Sequence, residues 1–148
     1  MSIPKQSGSS AVDFFSERLL AKLEDTPALS IAYEAQDVSA RVGFDFKNID
    51  LVMGKVLEET REVQSAFENR DADFVHFSEE VGDCFFALVN LCRHAGLDPE
   101  SLVRENSRKY LLRCKFIEDH LRATGRKWAD MSLDEIYRSW KEAKMSGL

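Results

Sequence analysis

An all-α helical bundle is the fold this sequence predicts, and three observations predict it. Apolar residues recur every three to four positions through each long segment, the period of a helix with one buried face. The punctuation between segments is of the helix-ending and helix-starting kind: Gly43, Gly96 and Gly125 follow periodic runs, while Asp98-Pro99 and Ser132 precede them. No segment alternates with strand period, and no internal repeat stands out.

Taken in order, Val12 to Leu23 carries Val12, Phe15, Leu19 and Leu23 at helical spacing, and Pro27 interrupts it. A second helix runs from about Leu29 to Val42 and stops at Gly43. Phe44 to Asn48 is a loop, after which Asp50 caps a third helix over Leu51 to Asn69. The polar connection Arg70 to Asp73 leads to a fourth helix, Phe74 to Ala95. Asp98 as N-cap and Pro99 at the first helical position open a fifth, which reaches about Arg122. Ser132 caps a short last helix, with Glu135 three residues on completing a capping box.

A chain of 148 residues is long enough for a real core. Residues 1–10 are polar, lack an apolar signal region and read as a loose tail, leaving 11–148 as a single helical domain. The net charge of −6 argues against a nucleic-acid binder, which usually carries a basic face. It does not argue against a small phosphate ligand, because a bound metal ion inverts the local potential. No run of about 18 apolar residues exists, so no membrane partner is expected. Cys84, Cys92 and Cys114 match no zinc spacing and sit within apolar helical patterns. They read as core residues in a reducing compartment, and the expected location is cytoplasmic.

Two acidic pairs stand out against this pattern: Glu59 with Glu62, and Glu80 with Asp83. Residues three apart share a helix face. On the third helix Val52, Val56, Val63 and Phe67 mark the buried side; Glu59 falls at its edge, Glu62 on its flank, and Glu58 toward solvent. The fourth helix is apolar almost all round (Phe74, Phe77, Val81, Phe85, Phe86, Leu88, Val89), except for one narrow stripe of Glu80, Asp83 and Asn90. Buried carboxylates need compensation. Four that converge without a histidine suit a hard, oxygen-preferring cation, Mg²⁺ above all, and hence a metal-dependent enzyme acting on phosphates. A solvent-facing acidic stripe is the bland alternative. Lys55, one turn before Glu59, either neutralises the acidic site or meets an anionic ligand; a plain surface pair with Glu59, of about a few tenths of a kcal/mol, is the other reading. On the fifth helix Asn106, Lys109 and Arg113 share the face of Leu102, Phe116 and Ile117, which suits an anion; snorkelling of long basic stems is the alternative.

Glu58-Glu59-x-x-Glu62 followed by Glu80-x-x-Asp83 resembles the EExxE…ExxD signature of MazG-like nucleoside triphosphate pyrophosphohydrolases. The flanks agree in order and spacing. They are Arg41 to Phe46 (with Phe46 where Trp is frequent), Gly82-Asp83-x-x-Phe86-Ala-Leu-Val-Asn90, Gly96 to Glu100, Asn106-x-x-Lys109-x-x-x-Arg113, Met131-Ser-Leu, and Trp140-x-x-Ala-Lys144. The resemblance covers about residues 29–145 and is to a single MazG domain, not the tandem form. It implies a helical bundle of the all-α NTP pyrophosphatase type, completed as a homodimer or homotetramer. A fourth helix as apolar as Phe74 to Leu91 fits a partner covering part of it.

The resemblance further implies Mg²⁺-dependent hydrolysis of a nucleoside triphosphate, ribo or deoxy, to monophosphate and pyrophosphate, by metal-activated water attacking the α-phosphorus. House-cleaning of non-standard nucleotides would be one use. Glu59, Glu62, Glu80 and Asp83 would hold Mg²⁺, for which Mn²⁺ would substitute, and Glu59 or Glu62 would accept the water's proton. Lys109 and Arg113 would contact the triphosphate with Asn106 in support. Lys55, His76 and Asp83 fall at nucleotide-contacting positions. Trp140 would lie near the nucleotide, or else anchor the last helix as a core residue. A dUTP- or phosphoribosyl-ATP-hydrolysing relative and a non-catalytic nucleotide-binding module are the competing readings. A ferritin-like di-iron protein wants Glu-x-x-His pairs, which His76, His94 and His120 do not supply.

Overall fold

The structure is a computed structural model and describes residues 14–148. Every regular element among them is helical. They are α1 (Ser16–Leu20), α2 (Ala28–Arg41), α3 (Ile49–Glu68), α4 (Phe74–His94), α5 (Pro99–Thr124), a 3₁₀ turn (Trp128–Asp130) and α6 (Leu133–Met145). The expected all-α class is therefore what the chain adopts. The expected tail, residues 1–10, and the start of the first expected helix at Val12 lie outside the described residues.

Most boundaries fall within a residue or two of those expected, and the differences have local causes. After Leu20 the backbone tightens into i→i+3 bonds, Lys22 N–H to the Leu19 carbonyl (3.2 Å) and Leu23 N–H to Leu20 (3.3 Å), so the first helix ends early. α3 starts two residues before Leu51. Its cap is Asn48, whose side-chain oxygen accepts from Leu51 N–H at 3.0 Å, and Asp50 sits in the first turn instead. Asp73 caps α4 by accepting from His76 N–H at 3.1 Å. Gly43 ends α2 at a φ of +89°, where a Cβ would be strained. Before α6 the expected capping box is present: Ser132 accepts from Glu135 N–H at 3.3 Å, and the Glu135 carboxylate accepts from Ser132 N–H at 2.8 Å.

The described residues form two compact units, one ending at Glu100 and the other covering Ser101–Leu148. In the first, α3 and α4 pack along each other as an antiparallel pair joined by residues 69–73, and α2 lies against α4. α1 is tied to α2 through Glu34, which takes Arg18 (3.4 Å) and Lys22 (2.5 Å). Leu19 of α1, Ile31 and Val38 of α2, Val52, Val56 and Ala66 of α3, and Ala87 and Val89 of α4 are the buried apolar set. Phe67, Phe74 and Phe85, expected inside, are exposed. In this unit α4 packs chiefly on α3 and α2, so a helix apolar all round leaves large side chains in solvent. Phe67, Phe74 and Phe77 instead gather at the α3–α4 turn, with ring centroids 5.9 and 6.2 Å apart.

The second unit is smaller. Ile117 and Leu121 of α5 and Ala143 of α6 are buried, whereas positions 101–112 of α5 are exposed on every face. Arg126 closes the turn between the helices, meeting Glu135 at 3.1 Å and the Asp130 carbonyl at 2.6 Å. No helix among the described residues is long and apolar enough to cross a membrane. The three cysteines are free and half-buried.

Candidate active site

Antiparallel packing of α3 on α4 brings four of the expected carboxylates to one place. One oxygen each of Glu59, Glu80 and Asp83 lies within 4.8 Å of the others. The same holds for Glu58, Glu59 and Glu62. Glu59 is common to both groups and is the one buried polar or charged residue among those described, at 5% exposure. It sits in the same row as Val52, Val56 and Ala66, so the helical period that builds the core also turns this carboxylate inward. Glu80 is half-buried, and Glu62 and Asp83 are exposed. Glu58 is exposed as expected, yet its carboxylate reaches the cluster's edge, a proximity that an angular reading of side-chain origins does not capture.

Lys55 is a cation that lies against the cluster. It forms an ion pair with Glu59 and a 2.8 Å bond to Glu58. Those hydrogen bonds, Glu58 first, hold its ammonium well above the ordinary lysine range despite some loss of solvent. Glu62 is pushed above the usual carboxylate range by loss of solvent and by the negative charges of Glu59 and Glu80. His76 lies one turn before Glu80, with Nδ1 3.4 Å from its Oε1. Five carboxylates against one ammonium leave an excess of negative charge, and all the acidic donors are hard oxygens. That donor chemistry fits a Mg²⁺-type cation and does not suit a soft metal.

Beside the cluster lies a cavity of about 580 Å³. Lys55, Glu59 and Asp83 form its charged end. Phe86, Ala87, Asn90 and Arg93 continue along α4; Ala35, Gln36 and Ser39 come from α2, and Phe44, Asp45 and Phe46 from the α2–α3 loop. Asp83, Phe86, Ala87 and Asn90 follow helical spacing, so one face of α4 carries both the acid and the cavity wall. The amides have assignable orientations. Gln36 Nε2 donates to the Phe86 carbonyl at 2.9 Å, which leaves Oε1 buried without a partner. Asn90 Oδ1 accepts from Arg93 Nε (3.1 Å) and Nη2 (3.0 Å). Sequence reasoning missed Gln36, Asp45, Arg93 and His94. Only Asn90 was visible, as the last member of the polar stripe.

The remaining expected residues belong to the second unit. Asn106 and Lys109 are exposed, and Asn106 Nδ2 donates to its own helix at the Leu102 carbonyl, 3.0 Å away. Leu102, assigned to the same inward face, is itself exposed. Arg113 is half-buried, donates from Nε to the Leu148 carbonyl at 2.9 Å, and places its guanidinium 5.4 Å from the Trp140 ring. Trp140 also meets Tyr110, with centroids 5.2 Å apart.

Residues 47–117 match the MazG nucleotide pyrophosphohydrolase domain. The chain is 35% identical over 118 residues to the nucleoside triphosphate pyrophosphohydrolase/pyrophosphatase MazG of Thermotoga maritima, covering 80% of this chain and 44% of that protein. It is 33% identical over 118 residues to the nucleoside triphosphate pyrophosphohydrolase of Escherichia coli K12, covering 80% and 45%. A 65-residue stretch is 38% identical to the uncharacterized protein YabN of Bacillus subtilis, covering 44% of this chain and 13% of that protein. The chain thus spans less than half the length of these curated relatives.

Proposed function

The chain carries a MazG nucleotide pyrophosphohydrolase domain, and from that premise we propose that it hydrolyses nucleoside triphosphates, ribo or deoxy, to the monophosphate and pyrophosphate. The observation that carries this reading is Glu59: a buried carboxylate common to two acidic groups, lining a cavity large enough for a nucleoside. Its likeness to proteins named as nucleoside triphosphate pyrophosphohydrolases supports the same reaction.

In this reading Glu59, Glu62, Glu80 and Asp83 would hold Mg²⁺, for which Mn²⁺ would substitute. When bound, the cation would neutralise phosphate charge and make water more acidic. The chain's own groups do the rest. Water oxygen bonds to the α-phosphorus as the bond to the bridging oxygen of the pyrophosphate breaks. We assign the proton to Glu62, because Glu59 is buried and already paired with Lys55. Lys55 then has a phosphate oxygen as an alternative to its carboxylates. Phe86 and Phe46 offer apolar surface to the base, while His76, Asn106, Lys109, Arg113 and Trp140 keep the nucleotide-contacting roles expected of them. Exposed Phe74, Val75 and Phe85 on α4 and Leu111 on α5 support a homodimer or homotetramer. Free cysteines favour a reducing, cytoplasmic setting.

The test is incubation with each common NTP and dNTP, dUTP included, in Mg²⁺ and in EDTA, with chromatographic separation of products. Monophosphate and pyrophosphate formed only with Mg²⁺ is the expected result, and the rate ranking names the substrate. Release of orthophosphate, or no turnover by a folded protein, sinks the assignment.

A further inference from the structure

Asp45 does more than line the cavity. It sits in the loop between α2 and α3, flanked by Phe44 and Phe46, and a single oxygen of its carboxylate gathers three donors. These are the Phe46 backbone N–H at 2.8 Å, the Arg93 guanidinium, and His94 Nε2 at 2.9 Å. A carboxylate only accepts, so His94 carries its hydrogen on Nε2 here. Arg93 and His94 are nearly buried, with side chains 10% and 12% exposed, although they close a long helix near a loop. Buried charged groups are held where they are by their partners.

Arg93 also passes the constraint on. The same guanidinium that meets Asp45 occupies the amide oxygen of Asn90 through two nitrogens. An arginine donates only, so the Asn90 oxygen faces Arg93, and its NH₂ group is the part of the amide left to bind a ligand. Across the cavity Gln36 is fixed the opposite way: its NH₂ is spent on the Phe86 carbonyl and its oxygen is unpartnered. The cavity thus holds one oriented donor, the Asn90 amide, beside the aromatic side chains of Phe44, Phe46 and Phe86. Asn90 is seven residues, about 10 Å of helix rise, from the carboxylate of Asp83. That span matches the reach from an α-phosphate to the far edge of a nucleobase.

We propose that Asp45 is a positioning residue for base selection: by joining the Phe44–Phe46 loop to Arg93 it sets the aromatic wall and locks the Asn90 amide so that a nucleobase edge of one polarity is read. This rests on the reading that the cavity receives a nucleoside triphosphate. The carboxylate charge is not required at the reacting phosphorus, so its loss acts on recognition more than on the chemical step.

The experiment compares wild type, Asp45→Asn, Asp45→Ala and Arg93→Lys for KM and kcat across the nucleotide panel. In parallel, equilibrium dialysis in EDTA measures binding of dAMP, dCMP, dGMP, dTMP and dUMP. Asp45→Ala is expected to raise KM roughly tenfold for the preferred substrate and to flatten the ranking among bases. Its kcat should fall less than about threefold. Asp45→Asn, which keeps an acceptor for Phe46 and Arg93, recovers part of the ranking, and both variants keep wild-type helical content. An unchanged base ranking in folded Asp45→Ala overturns the proposal, as does a loss confined to kcat. The dialysis separates the two readings: if wild type turns over nothing yet prefers one monophosphate and Asp45→Ala loses that preference, the proposed reaction fails while the clamp stands.

Discussion

Lys55 and Glu59 form an ion pair whose two ends live in different surroundings: the lysine side chain is 38% exposed, the glutamate 6%. The carboxylate is the member that cannot exchange its partner for water. The ammonium can move to another anion, and in the proposed reaction the incoming phosphate is one. Lys55 thus serves as a placeholder for positive charge over a cluster that is otherwise acidic.

Glu59→Gln and Asp83→Asn keep volume and remove charge from the group that both acids share with Glu80. Each is expected to lower kcat/KM by roughly a hundredfold or more, as loss of a charge-stabilising group does. Far-UV circular dichroism should be unchanged. Turnover at the wild-type rate in either variant would remove that residue from the ligand set.

Glu58→Gln is expected to be milder, a loss of less than about tenfold in kcat/KM. Its carboxylate stands at the cluster's edge but in solvent, and Lys55 keeps Glu59 when Glu58 is neutral. A defect as deep as that of Glu59→Gln would make Glu58 a ligand in its own right.

Mg²⁺ should raise the thermal midpoint of wild type, because binding to the folded state alone stabilises it and relieves repulsion among the carboxylates. The shift should vanish in Glu59→Gln, Mn²⁺ should reproduce it, and EDTA should reverse it. Differential scanning fluorimetry reads this without any turnover. Equal shifts in wild type and Glu59→Gln would place the cation elsewhere.

Acid should loosen the α2–α3 loop. Burial pushes the Asp45 carboxyl up, but hydrogen bonds from Arg93, His94 and the Phe46 N–H outweigh it and hold the group below its ordinary value of 3.8. A depressed folded-state pKa contributes stability that is fully present above the unfolded value and is lost as pH falls through the folded one. The Asp45 contribution is therefore fully present well above its ordinary value of 3.8 and is lost progressively as pH falls below that toward the depressed folded-state value. Denaturant midpoints of wild type and Asp45→Asn, compared from pH 7 down to pH 3, should converge at the acid end. Parallel curves across that range would show that Asp45 is not ionised to any stabilising effect.

The parts of this protein that were legible in its sequence are those written locally. The Ser132–Glu135 capping box, the Gly43 stop and the pairing of two acids three residues apart all depend on a handful of neighbours. Asn48 and Asp50 shared every cap credential, and backbone geometry alone chose between them. Phe67 and Phe85 read as core because periodicity reports which residues are apolar, not whether a neighbour is there to cover them. Asp45 with Arg93 and His94 was out of reach for another reason: these contacts join positions 48 and 49 apart, and no spacing rule links a loop aspartate to the end of a later helix.

The single face of α4 that carries Asp83, Phe86 and Asn90 has an evolutionary corollary. A rigid rod fixes the distance between its marks, so exchanging the side chain at position 86 or 90 changes what is gripped at one end without disturbing the acid at the other. An inserted residue between positions 83 and 90 does the reverse, swinging one end about 100° around the axis relative to its counterpart. Diversification along this helix is open to substitution and closed to insertions and deletions.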